Sequence, residues 1–221
     1  MSHGTRAVDI PCGGVVLKGD LAEVPEAKGL VIFAHGSGSS RLSPRNRFVA
    51  VALQEAGLST LLVDLLTEEE EDLDHVTAKL RFDIPLLASR LLGCREWARR
   101  QERLREAPIA YFGASTGAAA AIRAAAEKPR GVFAVVSRGG RPDLALDRLA
   151  EVKAATLLIV GGNDAEVLRL NEAAARRLKS EHELKIVPGA THLFEEPGAL
   201  ERVAQMAADW FVEHALGVAS Q

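Results

Sequence analysis

The sequence predicts an α/β fold in which a mostly parallel sheet of eight strands, opened by an antiparallel hairpin, carries helices on both faces. Short apolar or β-branched runs alternate along the chain with longer segments of helical period, as in parallel sheets that are covered by helices. The composition, with 48% apolar and 26% charged residues among 221, excludes a disordered or collagen-like chain. We therefore expect a single domain spanning residues 1–221.

The strand candidates begin with residues 7–11 and 15–20, which are separated only by Cys12, Gly13 and Gly14 and so predict a hairpin. The others are short apolar runs closed by Gly, Asp, Ser or Pro, as expected for buried parallel strands. They are residues 30–35, 59–64, 109–113, 132–137, 156–161 and 183–187. Ligands of such sheets bind at the carboxyl ends of the strands, so the loops that follow them are the place to search for chemistry.

The helix candidates lie between these strands. They are residues 44–56, 82–103, 116–128, 165–179 and 197–216, with a shorter helix at 143–149. The acidic run at 68–72 predicts a solvated loop or a first helical turn, and a metal site at Asp72, Asp74 and His75 is the weaker alternative. The segment between the strands at 132–137 and 156–161 has room for one short helix and two turns, so we expect no cap domain and a site open to water.

The charge and cysteine content restrict the partners. Lys and Arg number 27 against 30 Asp and Glu, a formal net charge of −3, and no basic tail or stripe is present, so nucleic acid is not expected as a partner. No segment has the apolar core of a secretory signal or approaches the ~18 apolar residues of a membrane span. Cys12 and Cys94 fall in no disulfide or metal-ligand spacing. We expect a cytoplasmic protein without a membrane partner, and the sequence leaves its oligomeric state open.

A candidate nucleophile follows the predicted strand at 109–113. The segment Gly113-Ala114-Ser115-Thr116-Gly117 is a G-x-S-x-G pattern between a strand and an Ala-rich helix, the context of a nucleophile elbow. Small residues two positions before and after the serine leave room for the sharp turn. Ser115 would stand at a helix N-terminus, where free N–H groups favour an anionic intermediate. A glycine-rich turn without catalysis is the alternative.

A serine hydroxyl needs a base, and that base is usually a histidine oriented by a carboxylate. Asp164 follows the strand at 156–161, and His192 follows the strand at 183–187. Both are therefore expected at the same edge of the sheet as Ser115, in the order Ser, Asp, His along the chain. Asp143, after the preceding strand, is the competing candidate for the acid.

A second glycine-rich loop, His35-Gly36-Ser37-Gly38-Ser39-Ser40, follows the first parallel strand. An acyl-transfer intermediate needs two N–H groups aimed at one oxyanion, and the backbone amides of Ser37 and Thr116 are the candidates. A nucleotide-binding loop from Gly36 to Ser40 is the alternative. It lacks the third glycine of the dinucleotide fingerprint, and no GK[ST] follows.

These motifs together resemble the α/β-hydrolase superfamily, in particular its small dienelactone-hydrolase-like members, over nearly the whole chain. The resemblance implies that Ser115 is the nucleophile, His192 the general base and then acid, and Asp164 its orienting partner. It also implies that the amides of Ser37 and Thr116 form the oxyanion hole. Dienelactone hydrolases in the strict sense use a cysteine nucleophile, so the serine at position 115 is a departure. Similar domains also occur fused to phosphoribosyltransferase domains.

Arginines follow both candidate loops, and their planar guanidinium groups suit carboxylate or phosphate groups. We therefore list Gly36, Arg41 and Arg138 as candidate substrate contacts, with surface ion pairs or loop caps as the alternative for the arginines. The predicted function is that of a serine hydrolase, without cofactor or metal, acting on a small ester, thioester or lactone. A non-catalytic binding or regulatory module on the same fold and a nucleotide-binding protein are the alternatives.

Overall fold

A computed structural model describes residues 4–218, which form an eight-stranded sheet in the order β1-β2-β4-β3-β5-β6-β7-β8. The strands are β1 Thr5–Cys12, β2 Val15–Ala22, β3 Leu30–Ala34, β4 Ser59–Val63, β5 Ile109–Ala114, β6 Val132–Arg138, β7 Ala155–Gly161 and β8 His182–Val187. The pairs β1–β2 and β2–β4 are antiparallel, and every pair from β4 to β8 is parallel. The predicted fold class and hairpin are confirmed.

The helices cover both faces of this sheet. They are α1 Pro44–Glu55, α2 Glu68–Thr77, α3 Ile84–Ala98, α4 Thr116–Glu127, α5 Ala165–Ala175 and α6 Ala199–Val218. Ile32 and Tyr111 belong to the core beneath α3, α4 and α5, whereas their neighbours Phe33 and Phe112 belong to the core beneath α1 and α6. Successive side chains of a strand point to opposite faces, so strands β3 to β7 are buried at every position and mostly apolar.

The sheet order creates a crevice at the carboxyl end of β3. After β3 the chain passes to β4 on one side, and it later returns as β5 on the other side. The loops after β3 and β5 therefore leave the sheet in opposite directions, and ligands of open α/β sheets bind at such a switch point. This topology brings the glycine-rich loop at 35–40 next to the turn that carries Ser115.

Helix α2 begins at the acidic run, for which the sequence predicted a solvated loop or a first helical turn, and it continues to Thr77. Its start is a capping box, in which the Thr67 amide donates to Glu70 Oε2 at 2.9 Å and the Glu70 amide donates to Thr67 Oγ1 at 3.2 Å. The T-x-x-E pattern that signals such a box is readable in the sequence. Asp74 is bound to Arg81 at 2.6 Å, which leaves no metal-ligand cluster at this place.

Two other helix predictions are corrected. The short helix predicted at 143–149 is wrong, because the chain forms separate 3₁₀ turns at Pro142–Ala145 and Leu149–Glu151, and so short a segment does not offset the cost of helix nucleation. The helix predicted at 82–103 is shorter. It begins at Ile84, where Asp83 caps it by accepting from the Leu86 amide at 3.0 Å, and it ends at Ala98. No cap domain lies between β6 and β7.

Two expectations extend beyond these elements. A single domain over residues 1–221 stays a prediction, since residues 1–3 and 219–221 lie outside the described part of the chain. Among the helices within residues 4–218, none combines the length and apolar character required to cross a bilayer.

Candidate active site

The turn between β5 and α4 holds Ser115 in a strained backbone conformation, with φ 50° and ψ −122°. A positive φ is uncommon for a residue with a side chain and is found at functional sites. Backbone hydrogen bonds hold the turn, since the Ser115 amide donates to the Arg138 carbonyl at 3.2 Å and the Arg141 amide donates to the Ser115 carbonyl at 3.0 Å. Ser115 is thus presented on a rigid turn at the sheet edge.

Small residues around Ser115 are required by close backbone contacts. A Cβ atom on Gly117 would lie 2.2 Å from the Ala34 carbonyl oxygen, and one on Gly113 would lie 2.4 Å from the Ala118 Cα. A Cβ atom on Gly36 would lie 2.9 Å from the Cβ of Ser115 itself. The steric reason for small residues around Ser115 is therefore confirmed, and Gly36 keeps the space beside Ser115 open.

His192 and Asp164 are joined by a hydrogen bond of 2.7 Å between imidazole Nδ1 and carboxylate Oδ2. An ionised carboxylate only accepts, so Nδ1 carries the proton and the other ring nitrogen, Nε2, is left with a free lone pair. The competing acid, Asp143, instead accepts two hydrogen bonds from Arg141, at 2.8 and 2.7 Å. Asp164 is thus the carboxylate that orients the histidine.

Ser115 and His192 open into one cavity of about 650 Å³ at the crevice beside β3. The loop at 35–40, Thr116, Arg138 and Leu193 also line it. Within the described residues the Ser115 hydroxyl makes no hydrogen bond to His192, and catalytic hydrogen bonds are often long in a free enzyme. The cavity has the size of a site for a small organic molecule.

The amide of Ser37 is occupied, although the sequence analysis expected it to be free for an oxyanion. It donates to Thr116 Oγ1 at 3.1 Å, and the two hydroxyl oxygens are also 3.1 Å apart. The Thr116 amide lies in the first turn of α4, where the helix supplies no acceptor. Ser37 and Thr116, whose amides were predicted to form the oxyanion hole, are therefore in contact in the fold. Of these two amides, that of Ser37 already has an acceptor, Thr116 Oγ1.

His35 supports the same loop from beneath. Its Nε2 accepts from the Leu65 amide at 3.1 Å, so the ring proton is on Nδ1, which donates to the Gly36 carbonyl at 3.0 Å. Burial lowers the pKa of His35 below its usual range, because the charged imidazolium is disfavoured away from water. A neutral histidine thereby links the loop after β3 to the end of β4.

The two arginines predicted to contact a substrate, Arg41 and Arg138, have different surroundings in the structure. Arg41 does not line the cavity and its guanidinium forms ion pairs with Asp64 and with Asp20, so its role as a substrate contact stays a prediction. Arg138 does line the cavity and is 7% exposed, and no carboxylate of the described residues pairs with it. Arg45, which also lines the cavity, is paired with Glu195 at 3.1 Å.

One wall of the cavity was missed by the sequence analysis. Glu71 and His75 of α2 and Arg81 just after it line the cavity, and Leu65 and Leu66 contribute an apolar part of its surface. Recognition of the capping box at the start of α2 would have predicted the helix, but not its position at the cavity. Among residues 4–218, no group of three or more His, Cys, Asp or Glu side chains is arranged to hold a metal ion.

Known proteins share the sequence and the fold of this chain. Residues 18–214 match the family model described as the Dienelactone hydrolase family. The chain belongs to this family. The crystal structure of a dienelactone hydrolase from Anabaena variabilis is 57% identical, has a TM-score of 0.93 and covers 96% of this chain and 98% of that one. The resemblance and the α/β-hydrolase fold expected from the sequence are confirmed.

Two further relatives of this dienelactone hydrolase family member extend the comparison. Est1E from Butyrivibrio proteoclasticus has a TM-score of 0.80 at 18% identity, over 94% of this chain and 98% of that one, which shows a common fold. A Mycobacterium tuberculosis protein, whose name proposes it to be a phosphoribosyl transferase, is 54% identical over 95% of this chain. The match covers 46% of that protein, so the chain spans about half the length of this curated relative.

Proposed function

We propose that this member of the dienelactone hydrolase family is a serine hydrolase that cleaves a small carboxylic ester, thioester or lactone through an acyl-enzyme on Ser115. The observation that carries the proposal is the 2.7 Å hydrogen bond between His192 Nδ1 and Asp164 Oδ2, with His192 opening into the same cavity as Ser115. A base with a fixed tautomer beside a strained serine is the arrangement that nucleophilic acyl transfer requires.

The reaction proceeds in two steps. His192 Nε2 takes the proton of the Ser115 hydroxyl as Oγ attacks the carbonyl carbon, and it then donates that proton to the leaving oxygen or sulfur. Water attacks the acyl-enzyme next, with its proton again taken by His192, and the carboxylic acid leaves as Ser115 recovers its proton. Asp164 remains ionised and stabilises the imidazolium in both steps.

The amides of Ser37 and Thr116 are proposed to bind the oxyanion. As negative charge develops on the carbonyl oxygen of the substrate, the Ser37 amide donates to that oxygen in place of Thr116 Oγ1, or donates to both acceptors. The exchange is favourable because an ionised oxygen accepts a stronger hydrogen bond than a neutral hydroxyl does. The Thr116 hydroxyl thus keeps this amide oriented until a substrate arrives.

Hydrolysis is also the activity that best fits this chain among the alternatives. The name of the mycobacterial relative proposes phosphoribosyl transfer for a protein about twice as long, and no observation in the described residues favours that reaction here. A non-catalytic module or a nucleotide-binding protein would have no reactive serine. Reactivity of Ser115 therefore separates the proposed function from both.

The test is covalent labelling with a fluorophosphonate probe, followed by mass spectrometry of the peptide that contains Ser115. We expect the chain to be labelled on Ser115 and the Ser115→Ala variant not to be labelled. Ser89→Ala is the matched control, because Ser89 is exposed on α3 and donates only to the Leu86 carbonyl, so its labelling should be retained. An intact, folded chain that takes no label would overturn the proposal.

The acyl specificity is then measured with p-nitrophenyl esters of increasing chain length, followed by lactones and thioesters. The cavity of about 650 Å³ admits a small substrate, so we expect kcat/KM to fall once the acyl chain exceeds what the cavity holds. A rate that rises steadily toward long acyl chains would contradict a small-substrate site.

A further inference from the structure

The backbone of residues 138–141, between β6 and the next 3₁₀ turn, is bonded to the nucleophile on both sides. The Arg138 carbonyl accepts from the Ser115 amide at 3.2 Å, and the Arg141 amide donates to the Ser115 carbonyl at 3.0 Å. A residue with a side chain keeps a φ of 50° only where its surroundings hold it there. The position of the 138–141 loop therefore contributes to the conformation of Ser115.

The same loop also contacts the base. A Cβ atom on Gly139 would lie 3.2 Å from the His192 carbonyl oxygen and 3.5 Å from Nδ1 of its ring, so the imidazole packs directly against this glycine. The Gly139 amide donates to the Ile159 carbonyl at 2.8 Å, which joins the start of the loop to β7. A shift of the loop would therefore change the positions of Ser115 and His192 relative to each other.

Asn171 of α5 holds this loop from beneath. Its side-chain amide is fully buried, and Nδ2 donates to the Gly140 carbonyl at 2.9 Å and to the Val167 carbonyl at 2.8 Å. Among residues 4–218 no other side chain hydrogen-bonds the backbone of the 138–141 loop, and the Gly140 carbonyl has no other donor. A buried amide is costly unless its hydrogen bonds compensate the loss of water, so these two bonds account for an asparagine at this position.

Helix α5 connects this anchor to the third residue of the candidate triad. Asp164 is the residue from which α5 begins, and Asn171 lies about two helical turns further along. Asp164 accepts from His192 at the start of the helix, and Asn171 holds Gly140 at its second turn. One rigid helix thus sets the distance between the orienting carboxylate and the 138–141 loop.

We propose that Asn171 is a positioning residue, which holds the 138–141 loop by its Gly140 carbonyl and so keeps Ser115 Oγ and His192 Nε2 in the geometry for proton transfer. The role rests on the proposed function for the reaction. Asn171 does not line the cavity, so it acts on the chemical step and leaves substrate binding unchanged. A reacting group misplaced by about 1 Å costs about 100-fold in rate, so a small shift of the loop is sufficient.

The kinetic test uses Asn171→Leu, which conserves the approximate size and removes both hydrogen bonds. The substrate is p-nitrophenyl acetate, and functional sites are counted from the end point of fluorophosphonate labelling. We expect kcat per labelled site and the rate constant of labelling to fall about 10- to 100-fold. KM should change by less than about threefold, because only the chemical step is affected. A loss of stability alone would lower the number of labelled sites and leave kcat per site unchanged.

Gln54→Met is the matched control. Gln54 is a second buried side-chain amide, and it donates to Thr60 Oγ1 at 2.8 Å without lining the cavity. The substitution also removes a buried hydrogen bond and conserves the approximate size. It should lower the Tm, as Asn171→Leu does, with kcat per labelled site equal to that of the unaltered chain.

Hydrogen exchange followed by mass spectrometry tests the anchor without reference to activity. Asn171→Leu should accelerate exchange in the peptides that contain the Ser115 and Arg141 amides, because the loop that bonds them has lost its support. Gln54→Met should leave exchange in these peptides unchanged. Faster exchange with an unaltered kcat per site would show a loop anchor without a positioning role and would overturn the proposal.

A second variant separates the bond to the loop from the bond within α5. The hydroxyl of Asn171→Thr can donate to the Val167 carbonyl one helical turn back, whereas it does not extend to Gly140. The same fall in kcat per site is therefore expected with a smaller loss of stability. If neither Asn171 variant folds, the residue belongs to the fold and the positioning role is overturned.

The outcomes for the reaction and for Asn171 are distinct. An unaltered, folded chain that neither takes the label nor hydrolyses the ester would overturn the proposed function. A chain that is labelled, and whose two Asn171 variants keep kcat per site, would overturn the positioning role alone. A rise in KM with kcat unchanged would do the same, since it would assign Asn171 to substrate binding.

Discussion

Replacement of His35 by phenylalanine should destabilise the chain while conserving the shape of a ring. His35 is buried, with 8% exposure, and its two ring nitrogens connect the end of β3 to the end of β4. Phenylalanine fills much of the same space and makes neither hydrogen bond. The effect on stability thus reports the polar link between these two strand ends.

The expected loss of stability depends on which other hydrogen bonds the two partners of His35 keep in the variant. The Leu65 amide donates only to His35 Nε2, so in the variant it is a buried N–H without an acceptor, at a cost of about 1–3 kcal/mol. The Gly36 carbonyl still accepts from the Ser39 amide at 3.2 Å, so it loses one of two bonds, at a cost of about 0.5–1.5 kcal/mol. The sum is about 1.5–4.5 kcal/mol, which lowers the Tm by about 3–18 °C in a protein of this size.

The assay is equilibrium unfolding in urea, followed over pH. Burial lowers the pKa of His35 in the folded state, so the folded state binds fewer protons than the unfolded state, whose histidine titrates near about 6.5. The stability contributed by neutral His35 is therefore complete above about pH 6.5, and it decreases as the pH falls, by up to about 1.4 kcal/mol per pH unit. His35→Phe lacks this titration, so the difference between the two proteins should shrink in acid.

The control is His75→Phe, which replaces an exposed histidine and should change the free energy of unfolding by less than about 0.5 kcal/mol at neutral pH. His35→Phe is expected to cost more than about 1 kcal/mol at pH 7.5, and a smaller cost, or a difference between the two proteins that grows as the pH falls, would contradict this. Either result would mean that His35 is not a neutral, doubly bonded link.

Two further predictions concern the catalytic turn and its base. Asp164→Asn should lower kcat by about 10³- to 10⁴-fold with little change in Tm, because an amide does not hold His192 in the required tautomer. A fall of less than about tenfold in initial rates would contradict this. Gly117→Ala should abolish fluorophosphonate labelling and cost about 1–3 kcal/mol or more in urea unfolding, since its Cβ would meet the Ala34 carbonyl oxygen at 2.2 Å. Normal labelling of a stable variant would show that the turn can move.

The candidate triad was predictable because its signals are local. A nucleophile elbow needs small residues at fixed positions around the serine, and Gly113 and Gly117 satisfy that need within five residues of sequence. Asp164 and His192 follow parallel strands, and all parallel strands of a sheet end at the same edge. The alternation of strands and helices along the chain therefore suffices to predict that Asp164 and His192 lie near Ser115, without knowledge of any side-chain contact.

The details of the loops could not be predicted in the same way. Ser37 and Thr116 were chosen for their backbone amides, yet the Thr116 hydroxyl occupies the Ser37 amide, an outcome that depends on the side-chain conformation at the helix start. The helix at 68–77 was underestimated for a different reason. Its consecutive acidic side chains suggest solvation, whereas a reciprocal cap between Thr67 and Glu70 starts the helix.

The sequence by itself determined the fold class, the order of the chemistry-bearing residues and the edge of the sheet at which they meet. Only the tertiary structure decided which arginine lines the cavity. Arg41 and Arg138 are equivalent as residue types near strand ends, but Asp20 and Asp64 neutralise Arg41, and the burial of Arg138 leaves it alone beside Ser115. The physical reason is that burial and ion pairing depend on distances between residues remote in the chain, and local patterns do not encode those distances.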